Sequence, residues 1–142
     1  MNLRQSTAVA IGGRGLLIEG PSGSGKSSLA LALIDRGATL IGDDGIALTS
    51  RVGELWAHPA PATVGLIELR NIGLVTLPAT EAPVALLLQL REDAPRFVEC
   101  AASVPISGLA IPALAFDAHI PAAAVRAEYA LALHGLPRAT TV

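Results

Sequence analysis

The chain has 142 residues, of which 51% are hydrophobic and 15% are charged, and its formal net charge is −2. This length suffices for one domain with its own apolar core, and the composition excludes a disordered chain. The small negative charge and the absence of any Lys/Arg run exclude a general attraction to nucleic acid or to an anionic membrane. We therefore expect one domain over residues 1–142 whose partner is a small molecule or a protein.

Cysteine content and apolar runs bear on the compartment. Cys100 is the single cysteine, so no internal disulfide forms, and neither it nor the three histidines show metal-ligand spacing. The N-terminal apolar run Thr7–Ile11 is too short for a signal sequence. No stretch reaches the roughly 18 to 20 apolar residues of a membrane helix. The sequence therefore predicts a cytoplasmic protein without a membrane span.

The first predicted elements surround a glycine-rich segment. Thr7–Ile11 and residues 16–19 have the composition of short strands, and the turn Gly12-Gly13 separates them. Apolar residues recur at helical spacing over residues 26–36 and predict a helix that Gly37 ends. The glycine-rich segment thus lies between a strand and a helix.

The middle of the chain is predicted to be mostly strand. Residues 46–50 and 54–57 are the expected arms of a hairpin around the turn 51–53. Residues 65–76 are expected to form a loop with strand on either side. Val84–Leu90 is nearly all apolar, which is typical of a central strand covered on both faces.

The last third of the chain predicts one more strand and a helix. Ile111–Phe116 is apolar, and Pro112 favours a place at a sheet edge because proline cannot donate to a ladder. Pro121 at a first helical position and Gly135 bound an Ala-rich helix that runs to His134. Together these elements predict an α/β fold with a mixed sheet and flanking helices.

The glycine-rich segment fits the pattern of a phosphate-binding loop. It reads Gly20-Pro21-Ser22-Gly23-Ser24-Gly25-Lys26-Ser27, with Ser28 next. Glycines let backbone N–H groups turn around phosphate oxygens, and the following helix presents its positive N-terminus. Lys26, the single lysine of the chain, suits the β- and γ-phosphates, and the Ser27 hydroxyl suits Mg²⁺. We expect residues 20–28 to bind a nucleoside triphosphate with Mg²⁺ for phosphoryl transfer.

Phosphoryl transfer also needs a carboxylate that holds Mg²⁺ or orients the nucleophile. Asp117 follows the apolar run Ile111–Phe116, as a Walker B aspartate does. Asp43-Asp44 follows a shorter run, Leu40-Ile41, just after the loop helix. The pattern alone leaves the two positions equal, and Asp44-Gly45 also suits an ordinary turn.

An extended set of residues resembles the bacterial HPr kinase/phosphorylases, specifically their catalytic domain. The matching segments are the phosphate loop, Arg36-Gly37, Asp43-Asp44 at the family's spacing, Ala60-Pro61, and Glu68-Leu69-Arg70-Asn71-Ile72-Gly73, which is similar to the family's E-I-R-G-L-G segment. The resemblance covers about Gln5 to Gly73, and the similarity beyond is loose.

The resemblance implies a P-loop fold of the phosphoenolpyruvate-carboxykinase type. It implies ATP-dependent phosphorylation of a serine on HPr, the phosphocarrier of the phosphotransferase system, and often the removal of that phosphate. In these roles Lys26 balances the phosphates. Asp44 accepts the seryl proton with Asp43 in support, and two adjacent carboxylates raise each other's proton affinity.

The resemblance also assigns roles to residues outside the loop and the Asp pair. Glu68 would join Ser27 around Mg²⁺, and Arg96 would stabilise charge on the transferring phosphoryl group. Arg70 is a second candidate for a phosphate contact, with a surface ion pair to Glu68 or Asp44 as the alternative.

The chain departs from the family pattern at three points. Gln5 stands where a histidine is usual, Ser28 stands where a glutamate often follows, and the glycine-arginine loop of long members is not recognisable. Two other functions are compatible with the loop: a small-molecule or nucleotide kinase, and a module that binds nucleotide without catalysis. The sequence is compatible with a homo-oligomer and does not fix the phosphorylase activity.

Overall fold

The computed structural model describes residues 2–138, so the ends of the predicted domain, Met1 and residues 139–142, lie outside the described residues. Over that range the chain forms eleven β-strands, two α-helices and one short 3-10 helix, Pro61–Thr63. The helices are α1 (Lys26–Asp35) and α2 (Ala123–His134). The strands are β1 (Asn2–Arg4), β2 (Thr7–Ile11), β3 (Arg14–Glu19), β4 (Thr39–Gly42), β5 (Ile46–Arg51), β6 (Glu54–Pro59), β7 (Leu66–Leu69), β8 (Gly73–Thr76), β9 (Ala82–Leu90), β10 (Ala102–Ile106) and β11 (Leu109–Phe116).

Nine of these strands form one mixed sheet that branches at β9. The main path runs β1-β5-β6-β9-β3-β2-β4, and β11 with β10 joins at β9. On one side β9 pairs with β3 in parallel. On the other side its first residues pair with β6, and its last four, Leu87–Leu90, pair in parallel with Ala113–Phe116 of β11. The strands β7 and β8 form a separate hairpin.

Four strands of the sheet end at the same edge. The strands β3, β9 and β11 are mutually parallel. The strand β4 runs antiparallel to β2, which runs antiparallel to β3, so β4 has the same direction as β3. The segments that follow these strands therefore meet at one edge, which is where ligands bind in α/β sheets.

The core lies on both faces of β9. Leu86 and Leu88 belong to an apolar cluster that includes Leu33 of α1 and Leu131 of α2. Leu87, between them, belongs to a second cluster built from strand residues alone. Alternating side chains of a strand point to opposite faces, so both helices cover one face of the sheet. Within residues 2–138 no helix is both long and apolar enough to cross a bilayer.

Most predicted elements are confirmed. The strand before the phosphate loop and the helix after it form as expected, as do the hairpin β5–β6 and the central strand β9. The helix α1 ends as Gly37 predicts: its φ is +112°, and its N–H donates to the Ile34 carbonyl. Residues 65–76 contain the predicted strands, β7 and β8, around a short turn.

Two predictions need correction. The strand β11 is not an edge strand along its whole length, because Ala113–Phe116 pair with β9. Pro112 lies in its first half, which pairs only with β10, so the missing N–H interrupts no ladder to β9. The helix α2 begins at Ala123 rather than at Pro121, because Ala122 is left-handed with φ +60°. The short strands β1 and β10 were not predicted.

Candidate active site

The phosphate loop connects β3 to α1, and its glycines are required by geometry. Gly23 and Gly25 have φ values of +81° and +99°, a region that other residues rarely adopt. A Cβ at Gly20 would lie 2.7 Å from the Ser24 hydroxyl oxygen. The loop can therefore turn tightly from the end of β3 onto the N-terminus of α1.

Two polar side chains of the loop indicate a polar ligand. The Lys26 ammonium donates to the Gly20 carbonyl oxygen at 2.7 Å, so it lies over the loop rather than out in solvent. The Ser24 hydroxyl oxygen is buried and has no hydrogen-bond partner among residues 2–138. A buried hydroxyl without a partner is costly, so this arrangement fits a group that supplies acceptor oxygens, as a phosphate does.

Asp43, which follows β4, connects to the loop through Ser27. The Ser27 hydroxyl donates to Asp43 Oδ1 at 2.7 Å, and the buried Thr7 hydroxyl donates to the same oxygen at 3.1 Å. The backbone N–H of Glu68 approaches Asp43 Oδ2 at 3.4 Å, which brings β7 to the same place. The structure thus brings together the Ser27 hydroxyl, the Asp43 carboxylate and the backbone of Glu68.

The oxygen atoms gathered there are of the kind that Mg²⁺ prefers. Mg²⁺ usually takes one or two carboxylates and completes its shell with phosphate oxygens and water. Across the described part of the chain, no three His, Cys, Asp or Glu side chains are grouped so that they could hold a metal by themselves. The residues present therefore fit an ion that is bound together with a phosphate chain.

Asp44 has a different environment from its neighbour. Its φ is +60°, its side chain is exposed, and its backbone N–H donates to the Thr7 hydroxyl oxygen at 3.1 Å. The Gln5 amide donates to Asp44 Oδ1 at 3.4 Å, so Gln5 lies beside the carboxylate. Aspartate tolerates the left-handed region better than most residues, and such conformations concentrate at functional sites.

An ion pair fixes the chain at the residue before Gln5. The Arg4 guanidinium donates to both carboxylate oxygens of Glu19, at 2.7 and 3.0 Å, and this bond raises the pKa of Arg4. Glu19 is the last residue of β3 and precedes the phosphate loop directly. The pair therefore holds the end of β1 against the start of the loop.

The two predicted arginines are not drawn into this cluster. Arg96 is exposed in the segment 91–101, and no hydrogen bond or ion pair within residues 2–138 connects it to the loop. Arg70 is exposed in the turn after β7. The alternative role for Arg70 was a surface ion pair with Glu68 or Asp44. That alternative is wrong, since the described residues contain no such ion pair.

Asp117 lies on the other side of the loop. Its Oδ1 accepts the backbone N–H of His119 at 2.9 Å, which is ordinary turn chemistry. Asp117, His119 and Arg91 line a cavity of about 200 Å³ beside the loop. Arg91 itself is paired with Asp93 at 2.9 Å, and this bond lowers the pKa of Asp93.

Sequence reasoning missed three residues of this edge: Thr7, Arg91 and His119. Thr7 resembles any buried strand residue in sequence, yet its hydroxyl serves both aspartates of the 43–44 pair. Arg91 and His119 follow β9 and β11. Their positions become informative only once those strands are known to be parallel to β3.

Comparison with known proteins connects this geometry to one family. The family model described as "HPr Serine kinase C-terminal domain" matches residues 2–80, which include the loop, the Asp pair and Glu68. A solved structure, that of the HPr(Ser) kinase/phosphatase from Coxiella burnetii, superposes with a TM-score of 0.82 at 25% identity. The superposition covers 93% of this chain and 95% of that chain.

Curated relatives match about half of the chain. An HPr kinase/phosphorylase from Streptococcus thermophilus (strain ATCC BAA-491 / LMD-9) is 43% identical over 68 residues, which are 47% of this chain and 22% of that protein. One from Mycoplasmopsis pulmonis (strain UAB CTIP) is 44% identical over 72 residues, 50% of this chain and 23% of that protein. The chain thus spans about a fifth of the length of the curated relatives that it matches.

Proposed function

This chain belongs to the family of HPr serine kinase C-terminal domains, and from that premise we propose that it transfers the γ-phosphoryl group of ATP to a serine of an HPr-like phosphocarrier protein. The observation that carries the proposal is the bond from the Ser27 hydroxyl to Asp43 Oδ1, 2.7 Å long, directly beside Asp44. It joins the phosphate loop to the residue that precedes the predicted proton acceptor, Asp44.

The proposed site assigns the nucleotide phosphates to residues 20–28, in a P-loop domain of the phosphoenolpyruvate-carboxykinase type. The loop N–H groups, the N-terminus of α1 and Lys26 would surround the phosphate oxygens. Ser27, Asp43 and Glu68 would hold Mg²⁺, which when bound neutralises charge on the phosphates. In this assignment Asp43 takes part in metal binding as well as supporting Asp44.

The proposed transfer has Asp44 as its general base. The seryl oxygen forms a bond to the γ-phosphorus while the bond from that phosphorus to the β–γ bridging oxygen breaks, and ADP leaves. The seryl proton passes to the Asp44 carboxylate. In the reverse direction an oxygen of ADP or of inorganic phosphate would bond to the phosphorus while its bond to the seryl oxygen breaks. The protonated Asp44 would give its proton to the seryl oxygen, which is how one residue would serve both activities.

A protein acceptor suits the exposure of the site. Asp44 and Glu68 are both exposed, so a serine on the surface of a folded partner can approach them without a deep cleft. Arg70, exposed in the nearby turn, and Arg96 would supply positive charge for the phosphoryl group. The cytoplasmic location expected from the single cysteine is part of this proposal.

Incubation with γ-labelled ATP, with and without purified HPr, tests the function. The proposal predicts label on a serine of HPr and little ATP consumption without it. Turnover that needs a small-molecule acceptor would instead support a small-molecule kinase. Tight ATP binding with no turnover under either condition would support a binding module.

A further inference from the structure

The proposed function leaves the cavity on the far side of the phosphate loop unexplained. It lies at the carboxyl ends of the parallel strands β3, β9 and β11 and is lined by residues 21–24, 90–92 and 117–119. Asp43 is on the opposite side, because β4 and β11 lie on different sides of β3 in the sheet. The loop therefore has an acidic metal-binding side and a separate concave side.

Three side chains of the cavity wall have polar atoms without a hydrogen-bond partner among the described residues. Asp117 uses only Oδ1 in its turn, so its second oxygen has no hydrogen bond within residues 2–138. The His119 ring carbon Cε1 lies 3.5 Å from the position that a Cβ of Gly25 would take, so the imidazole borders the loop. Ser24, whose buried hydroxyl lacks a partner among the described residues, also lines this cavity.

The direction in which a triphosphate lies along the loop determines which part of the nucleotide occupies this cavity. If the γ-phosphate faces Asp44, the phosphate chain crosses the loop and its nucleoside end emerges on the opposite side. The cavity of about 200 Å³ is smaller than the usual range of about 300 to 1,000 Å³ for a drug-sized ligand. A ribose fits that volume, with the base at the mouth beside the exposed His119.

We propose that this cavity is the ribose subsite of the nucleotide, with Asp117 accepting hydrogen bonds from the ribose hydroxyls and His119 packing against the base. Carboxylates commonly recognise ribose hydroxyls in nucleotide-binding α/β folds. The inference rests on the proposed function, since it requires the triphosphate in the loop. It gives Asp117 a role in nucleotide selectivity instead of metal binding.

Calorimetry with three ligands tests the subsite: Mg-ATP, Mg-2′,3′-dideoxy-ATP and Mg-tripolyphosphate, which has no nucleoside. Asp117→Ala should weaken Mg-ATP binding about tenfold, the loss expected when a hydrogen bond to a charged group is removed. It should leave tripolyphosphate binding within about twofold, which also shows that the variant is folded. The parent should bind dideoxy-ATP about tenfold more weakly than ATP, and Asp117→Ala should bind the two alike.

Residues outside the cavity serve as matched controls. Asp35→Ala removes an exposed aspartate at the end of α1 and should change no affinity. His119→Ala should weaken both nucleotides, which carry the base, and leave tripolyphosphate binding unchanged, whereas His134→Ala should weaken none of the three ligands. Equal weakening of ATP and tripolyphosphate by Asp117→Ala would make Asp117 a phosphate or metal residue and overturn the subsite. An undiminished preference for ATP over dideoxy-ATP in that variant would overturn it too. If the parent bound none of the three, the proposed function itself would fail.

Discussion

Two aspartate positions flank the phosphate loop, and the sheet places them almost symmetrically. Asp43 follows β4 and Asp117 follows β11, each two strands away from β3 and on opposite sides of it. The hydrogen bonds of their side chains differ. The Asp43 carboxylate accepts the Ser27 hydroxyl, whereas Asp117 Oδ1 accepts a backbone N–H of its own turn. The topology thus offers two places for an acidic residue, and side-chain contacts distinguish them.

The two positions also differ in turn chemistry. Ordinary turn chemistry was the alternative for Asp44-Gly45, and it is Asp117 whose side chain accepts a turn N–H. Asp44 instead has a left-handed backbone with φ +60° and contacts Gln5 from another strand end. A residue held in a costly conformation by several neighbours is a better candidate for chemistry than one that closes its own turn.

Lys26, in the loop between Asp43 and Asp117, should decide whether the nucleotide binds at all. Lys26→Ala removes the only lysine ammonium, so Mg-ATP affinity should fall by at least about 100-fold, because charged hydrogen bonds to phosphate are strong. Titration calorimetry measures the affinity, and circular dichroism checks that the fold is intact. Equal affinity in variant and parent would refute nucleotide binding at this loop.

The next effect concerns Asp44 on the metal side. Asn keeps the size of Asp but cannot accept the seryl proton, so Asp44→Asn should lower transfer to HPr by about 10² to 10⁴-fold while ATP affinity stays near that of the parent. Asp35→Asn is the matched control and should transfer normally. A variant with near-normal kcat would remove Asp44 from the chemistry.

Asp43→Asn should give a smaller defect. The amide oxygen can still accept the Ser27 hydroxyl, but the negative charge that attracts Mg²⁺ is lost. We expect a decrease in rate of about tenfold that is partly restored by a higher Mg²⁺ concentration. A decrease that does not respond to Mg²⁺ would separate Asp43 from the metal.

The smallest predicted change is a gain. The Gln5 amide lies 3.4 Å from Asp44 Oδ1, so Gln5→His would put a titratable ring beside the proposed base. We expect the transfer rate to rise about two- to fivefold near neutral pH. An unchanged or lower rate would mean that the chain has accommodated glutamine at this position.

The loop was predictable from sequence because its requirements are local. Glycines at 20, 23 and 25 followed by Lys26 and Ser27 meet the geometry of phosphate binding within eight consecutive residues. The central strand β9 and the hairpin β5–β6 were predictable for the same reason. Apolar runs and turn residues are visible within a short window.

Features that depend on pairing between strands far apart in the sequence could not be predicted. The choice between Asp43 and Asp117 requires the strand order, and Thr7 becomes a site residue only because β2 lies between β3 and β4. The strands β1 and β10 escaped prediction because both are short. They have mostly exposed side chains, and β10 contains Pro105. Such strands are stabilised by their neighbours more than by their own composition.

A single-turnover experiment compares the roles of Asp44 and Asp117, on the two sides of the phosphate loop, most directly. Asp44→Asn and Asp117→Asn would each be mixed with saturating γ-labelled Mg-ATP and HPr, and the rate of label transfer to HPr measured. Asp117→Asn should stay within about twofold of the parent, since saturation hides a weaker ribose contact, and Asp44→Asn should be at least about 100-fold slower. Loss of transfer in Asp117→Asn with a near-normal rate in Asp44→Asn would contradict the account and make Asp117 the acidic residue of the reaction.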